Sequence, residues 1–63
     1  MQKGVVKFFS EDGYGFVECE HLEEDVYVHM NDVSGPDLEE GQHLQFRLTE
    51  NDHGFRARNV HRI

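Results

Sequence analysis

The sequence predicts an all-β chain, a five-stranded antiparallel Greek-key barrel. Three observations lead there. The 63 residues include six Gly and one Pro, spread so that apolar runs are short. Five of those runs alternate or are rich in β-branched and aromatic residues, each bounded by turn-forming residues. The longest stretch free of Gly and Pro, residues 16–34, divides into two β-like runs separated by acids and carries no 3.6-residue stripe.

Val5-Val6-Lys7-Phe8-Phe9 is the first strand, β-branched and aromatic throughout. Ser10-Glu11-Asp12-Gly13 follows as a turn, with Asp-Gly as its hairpin signal. Tyr14-Gly15-Phe16-Val17-Glu18-Cys19 alternates as strand two, and His21-Leu22-Glu23-Glu24 reads as a loop. Asp25-Val26-Tyr27-Val28-His29 is strand three. Residues 31–37 form a loop punctuated by Gly35-Pro36, with a short helical turn near residues 31–33. Strand four covers residues 43–49, where Leu44, Phe46 and Leu48 alternate with Gln45 and Arg47. Asn51-Asp52-His53-Gly54 is a second turn, and residues 55–60 form strand five. No repeat, low-complexity tract or linker interrupts the chain, so residues 1–63 read as one domain.

Five strands left as an open sheet would expose two edges and an apolar face, and closing them into a barrel removes both problems. A barrel this small fills its interior with side chains. The expected core is Val6, Val17, Val26, Val28, Val33, Leu44, Phe46, Leu48 and Val60. Function is then expected on the outer face of the sheet, without an active-site cleft. No enzyme, cofactor or small-molecule substrate is expected. Cys19 is the lone cysteine, which excludes a disulfide framework and points to the reducing cytoplasm. No apolar run approaches a membrane span, and Met1 leads into a strand pattern, unlike a signal peptide. Cys19, His21 and His29 match no common zinc spacing, and Cys19 is expected to point inward like Val17, so no metal site is expected. The runs Glu23-Glu24-Asp25 and Glu39-Glu40 read as solvated faces.

Charge argues at first against a nucleic-acid partner. Thirteen Asp and Glu against six Lys and Arg give a formal charge of −7. Its distribution softens that reading. Residues 11–40 hold eleven acids and no Lys or Arg, whereas Lys3, Lys7, Arg47, Arg56, Arg58 and Arg62 lie toward the two ends, which a barrel brings together. Two readings of the acidity stand side by side: a host with a salty cytoplasm, or acids that simply keep a small protein soluble.

Alternation places Tyr14 and Phe16 on one face of strand two, opposite Val17, and Tyr27 and His29 on one face of strand three, opposite Val26 and Val28. Antiparallel pairing joins these four rings, and Phe8 of strand one extends the group. Such an open ring cluster suits unpaired bases, which stack on aromatic faces that duplex DNA would leave unused. Aromatics can equally cap a barrel end or pair across strands. The run Gly13-Tyr14-Gly15-Phe16-Val17 shifts the balance, because five consecutive positions match the ribonucleoprotein signature. Both ends of that signature fail: Asp12 stands at its basic position and Cys19 at its trailing aromatic. Lys7, Arg56 and Arg58 are the candidate phosphate contacts.

These motifs resemble the cold-shock domain family. Lys7-Phe8-Phe9, Gly13-Tyr14-Gly15-Phe16-Val17 and Asp25-Val26-Tyr27-Val28-His29 carry the resemblance. Leu38-Glu39-Glu40-Gly41-Gln42 and Ala57-Arg58-Asn59-Val60 extend it over residues 4–60. The resemblance implies a five-stranded oligonucleotide/oligosaccharide-binding (OB) barrel that binds single-stranded RNA and DNA with a loose preference for pyrimidines; a monomer is the default expectation. It also implies RNA chaperoning and tuning of transcription or translation. Lys7 matches the family's basic residue before its first ring. Tyr14 and Phe16 match the two rings of the first motif, and Tyr27 and His29 the ring and histidine of the second. His53 stands near an often basic position.

The departures bear on affinity. Phe8 stands where most members have Trp, offering a smaller stacking area and no indole N–H. Asp12 replaces a Lys, exchanging attraction for repulsion of phosphate. Met30 replaces a third aromatic, the loop at residues 31–37 is short, and Phe55 replaces a Pro after Gly54. Weaker binding than in a typical member is expected, with stacking as a larger share of it. The rival from another class is an acidic protein-interaction module that has lost nucleic-acid binding. The placement of Lys7, Arg56 and Arg58 near the rings speaks against it.

Overall fold

The computed structural model describes residues 1–35 and 37–63. Its strands are β1 (Gln2–Phe9), β2 (Tyr14–Cys19), β3 (Val26–His29), β4 (His43–Asn51) and β5 (Gly54–Arg62), with a 3-10 turn at Met30–Asp32. The strands close into a barrel in the order β1-β2-β3-β5-β4, with β4 returning to pair with β1. This is the expected five-stranded OB barrel. The pairings are antiparallel except at the seam, where β3 and β5 run parallel and Tyr27 is matched with Arg56. β1, β4 and β5 run longer than alternation alone marked them, because ladder pairing carries polar residues such as Gln2, Lys3 and His61 into the strands. Among the described residues no helix is long and apolar enough to cross a membrane.

The core holds Val6, Val17, Cys19, Val26, Val28, Leu38, Leu44, Phe46, Ala57 and Val60. Phe46 and Leu44 are its largest fully buried side chains. Two expected core residues, Val33 and Leu48, are only partly buried and pack against this cluster. Val33 lies past the end of β3 and meets Val60 in an isolated bridge, and Leu48 lies toward the β4–β5 hairpin. Leu38 takes a core place from the loop before β4. That loop is tied to β1 by Gly41 N–H donating to the Val6 carbonyl and Val6 N–H donating to the Gln42 carbonyl, both 2.9 Å. Cys19 turns inward as expected. The expected loop at residues 31–37 is seen except for Pro36, which lies outside the described residues.

Two bulges set which side chains face outward. In the β1–β2 ladder the register shifts between Val6, opposite Val17, and Phe8, opposite Phe16. Lys7 is the extra residue. Strict alternation would send Phe8 to the same side as Val6, and the bulge turns it out instead. In the β4–β5 ladder the register shifts between Gln45, opposite His61, and Arg47, opposite Arg58. Asn59 sits in that shift with φ +51°, a left-handed backbone that Asn tolerates better than most residues. The bulge lets Ala57 and Val60 both point inward while Arg56 and Arg58 stay outside the core.

Candidate nucleic-acid interface

The outer face of β1–β3 is paved with rings. β2 and β3 are in register with Tyr14 opposite His29 and Phe16 opposite Tyr27, as alternation predicts. Tyr27 is the hub. Its ring centroid lies 6.4 Å from Tyr14 in a near-parallel stack, 6.0 Å from Phe16 edge-on and 6.5 Å from His29. Phe8 joins edge-on to Tyr14 at 6.4 Å. Phe8 and Phe16 are exposed, at 44% and 37%, and the other three rings are half-buried. None of the five belongs to the core, so their apolar area is left on the surface.

Glycines make this face possible. Gly15 lies opposite Phe9, and a Cβ there would fall 2.1 Å from the Phe8 carbonyl oxygen and 2.8 Å from Phe9 Cα. Only a residue without a side chain lets β1 come this close while it bulges. Gly13 closes the turn at φ +88°, donating its N–H to the Ser10 carbonyl and accepting from Met30 N–H at 2.8 Å. Met30 packs over Gly13 and covers the turn.

His29 has a structural task besides its place among the rings. Its Nδ1 accepts the Asn31 N–H at 3.1 Å and caps the 3-10 turn. An accepting Nδ1 leaves the ring proton on Nε2.

The three candidate phosphate contacts are all engaged by carboxylates. Lys7 Nζ meets Asp25 at 3.2 Å. Arg56 donates from Nε and Nη2 to Asp32 Oδ2 at 3.3 and 2.9 Å, and Arg58 donates from Nη1 to Asp32 Oδ1 at 3.3 Å. Burial of the Asp32 carboxylate pushes its pKa up, but the hydrogen bonds and positive charges of the two arginines outweigh this and hold it below the usual aspartate value. Arg56 also lies over the Tyr27 ring, with its guanidinium carbon 5.6 Å from the centroid. The structure therefore brings Arg56 to the rings as expected, while Lys7 and Arg58 are drawn to Asp25 and Asp32. The carboxylate partners were not legible in the sequence, since the Asp32 pairs span 24 and 26 residues of chain.

A groove of about 360 Å³ continues the ring face past Tyr27, lined by Phe16, Tyr27, Asn51, His53, Phe55 and Arg56. The β4–β5 turn shapes it: Asn51 Oδ1 accepts the His53 N–H at 2.8 Å, and Gly54 takes φ +121°. Phe55 packs partly on the core and partly lines this groove. Its place directly after the turn glycine was the available signal for it.

The family model described as the "'Cold-shock' DNA-binding domain" matches residues 2–63. The chain belongs to the cold-shock domain family, a family of nucleic-acid-binding domains. It is 45% identical to Cold shock protein CspA of Staphylococcus saprophyticus over 64 aligned positions, covering 95% of this chain and 96% of that protein. It is 44% identical to Cold shock protein CspA of Staphylococcus aureus over a similar span. A solved structure named drosophila Unr CSD456 superposes with a TM-score of 0.83 over 98% of this chain and 26% of that one, at 16% identity. That last likeness speaks for the fold. This cold-shock domain has the five-stranded barrel and a ring-paved outer face, and it pairs the neighbouring cations with carboxylates.

Proposed function

We propose that this cold-shock domain binds single-stranded RNA and DNA, with low sequence specificity and a preference for pyrimidine-rich stretches. Bases stack on Phe8, Tyr14, Phe16, Tyr27 and His29, and Lys7, Arg56 and Arg58 meet phosphates. The observation that carries the reading is the unbroken surface chain of rings, with neighbouring centroids 6.0 to 6.5 Å apart. Each base has a π-face, so such a surface accepts a flexible strand whatever its sequence, and a stacked duplex cannot present those faces. Because the cations are already paired, stacking supplies the larger share of affinity.

In the cell the domain acts as a cytoplasmic monomer that traps unpaired RNA, melting secondary structure and so tuning transcription or translation. The residues around this site form a binding surface, not a catalytic one. Titrating isotope-labelled protein with an oligo-dT strand tests the site. Amide and ring resonances of Tyr14, Phe16, Tyr27 and Phe8 are expected to move first. Shifts confined to a second groove, lined among others by Lys3, Leu22 and His43, would contradict this placement. A hairpin-melting assay tests the chaperone role, which fails if a fluorophore-labelled RNA stem stays closed at saturating protein.

A further inference from the structure

Asp32 is held firmly where it meets the two arginines. The 3-10 turn that carries it is capped by His29 Nδ1, closed by Val33 N–H donating to the Met30 carbonyl at 3.1 Å, and moored to β5 by the Val33–Val60 bridge. Its side chain is only 13% exposed. One carboxylate oxygen serves Arg56 and the other serves Arg58. Two oxygens on one centre, each taking a guanidinium, is also the pattern that the two non-bridging oxygens of a phosphodiester offer.

The surroundings fit that likeness. Arg47 lies directly opposite Arg58 across β4–β5 and is exposed, with no carboxylate partner among the described residues. Without Asp32, three guanidinium groups would crowd one patch, and like charges facing across strands repel. Asp32 supplies the counter-charge to this patch. Arg56 sits over Tyr27 and lines the groove with Phe16 and Phe55, so a phosphate held by Arg56 delivers its nucleotide to the rings. The Lys7–Asp25 pair differs: its side chains are 54% and 37% exposed, and such an open pair yields to a competitor readily.

We infer that Asp32 is a built-in phosphate surrogate, which occupies Arg56 and Arg58 in the free protein and competes with strand phosphate for them, and so sets both the affinity and the salt dependence of binding. This rests on the single-strand reading above and assigns its governing residue. Removing the Asp32 charge frees the arginines for about one more phosphate, and each phosphate neutralised on a single strand steepens log K against log salt by about 0.7. Between 50 mM and 1 M KCl that slope amounts to about an eightfold change in the ratio of variant to wild-type affinity.

The test compares wild type, Asp32→Asn and the double variant Asp32→Asn/Arg58→Gln on labelled oligo-dT at both salts, with melting curves to show that each is folded. Asp32→Asn is expected to bind more tightly at 50 mM, to lose the gain at 1 M, and to lose it in the double variant. A folded Asp32→Asn that binds equally or more weakly, with an unchanged slope, overturns the inference. A parallel arm uses sodium tripolyphosphate, which has no bases, and follows the Arg56 and Arg58 Nε–H resonances. If neither protein binds oligo-dT, the single-strand reading fails, and this arm alone decides the inference: saturation at lower tripolyphosphate in Asp32→Asn upholds it, and equal saturation overturns it. Should Asp32→Asn not fold, the wild-type Asp32 carboxyl carbon resonance reads the same competition. It must shift as tripolyphosphate saturates the arginines, and a resonance that stays put overturns the inference.

Discussion

Phe8 lies opposite Phe16 across the β1–β2 pair, although only one residue separates it from the buried Val6. The bulge at Lys7 breaks the alternation, so the first strand gives one side chain to the core and the next of the same parity to the surface. The ring face thus depends on a backbone irregularity as well as on a motif.

Phe8→Ala and Tyr27→Ala should separate binding from folding. Each lost stacking contact costs about 1–3 kcal/mol, or roughly 5- to 150-fold in affinity. Tyr27→Ala should lie toward the upper end because Tyr27 touches three other rings and supports Arg56. Exposed Phe8 should leave thermal stability nearly unchanged. Titrations with labelled oligonucleotide alongside melting curves check both halves, and a large drop in stability for Phe8→Ala would mean that its ring is packing.

Gly15→Ala should destabilise the barrel by about 1–3 kcal/mol, the usual range for overpacking, since the added methyl meets β1 backbone and not the movable end of a side chain. Urea denaturation measures this. A wild-type midpoint would show that β1 can draw back without cost.

Asn59→Val should cost about 1–2 kcal/mol, the penalty for placing a side chain branched at Cβ in the left-handed region, while Asn59→Gly should be tolerated. Equal stability of the two variants would remove the bulge from its role in orienting Arg58 and Val60.

Acid should uncover the Asp32 contribution. Its folded-state pKa is lowered, first against burial and then by the hydrogen bonds and charges of Arg56 and Arg58. Its stabilising effect is therefore complete above the ordinary aspartate value and is lost as pH falls through the lowered folded value. At neutral pH Asp32→Asn should be less stable by about 1–2 kcal/mol, kept small by the half-exposed Arg58. The gap between the two proteins should close as the pH drops below the usual aspartate range. A constant gap down to pH 2 would contradict this linkage.

Much of the fold was legible because strand alternation and turn chemistry are local. Tyr14–Cys19 was bounded correctly, and the register of Tyr14 with His29 and Phe16 with Tyr27 follows from two alternating strands joined antiparallel. The core positions of Val17, Val26, Val28, Leu44 and Phe46 follow from the same periodicity. The bulges at Lys7 and Asn59 were not legible, because an extra residue shifts parity without leaving a mark in composition. Leu38 was missed because it enters the core from a loop with no period. At the site, the rings could be read along single strands. The partnership of Asp32 with Arg56 and Arg58 depends on how the barrel closes at its parallel seam, where Tyr27 meets Arg56.

The most direct measurement is fluorescence anisotropy of a labelled eight-base oligo-dT, with a labelled duplex beside it, at 50 mM and 1 M KCl, for wild type, Phe16→Ala and Tyr27→Ala. The account predicts binding to the single strand and not the duplex, with a log K against log salt slope no steeper than about 1.5, roughly two phosphates. It predicts loss of that binding in both folded variants. Absence of binding at either salt, or equal affinity in all three proteins, would contradict it and leave the ring face to another partner.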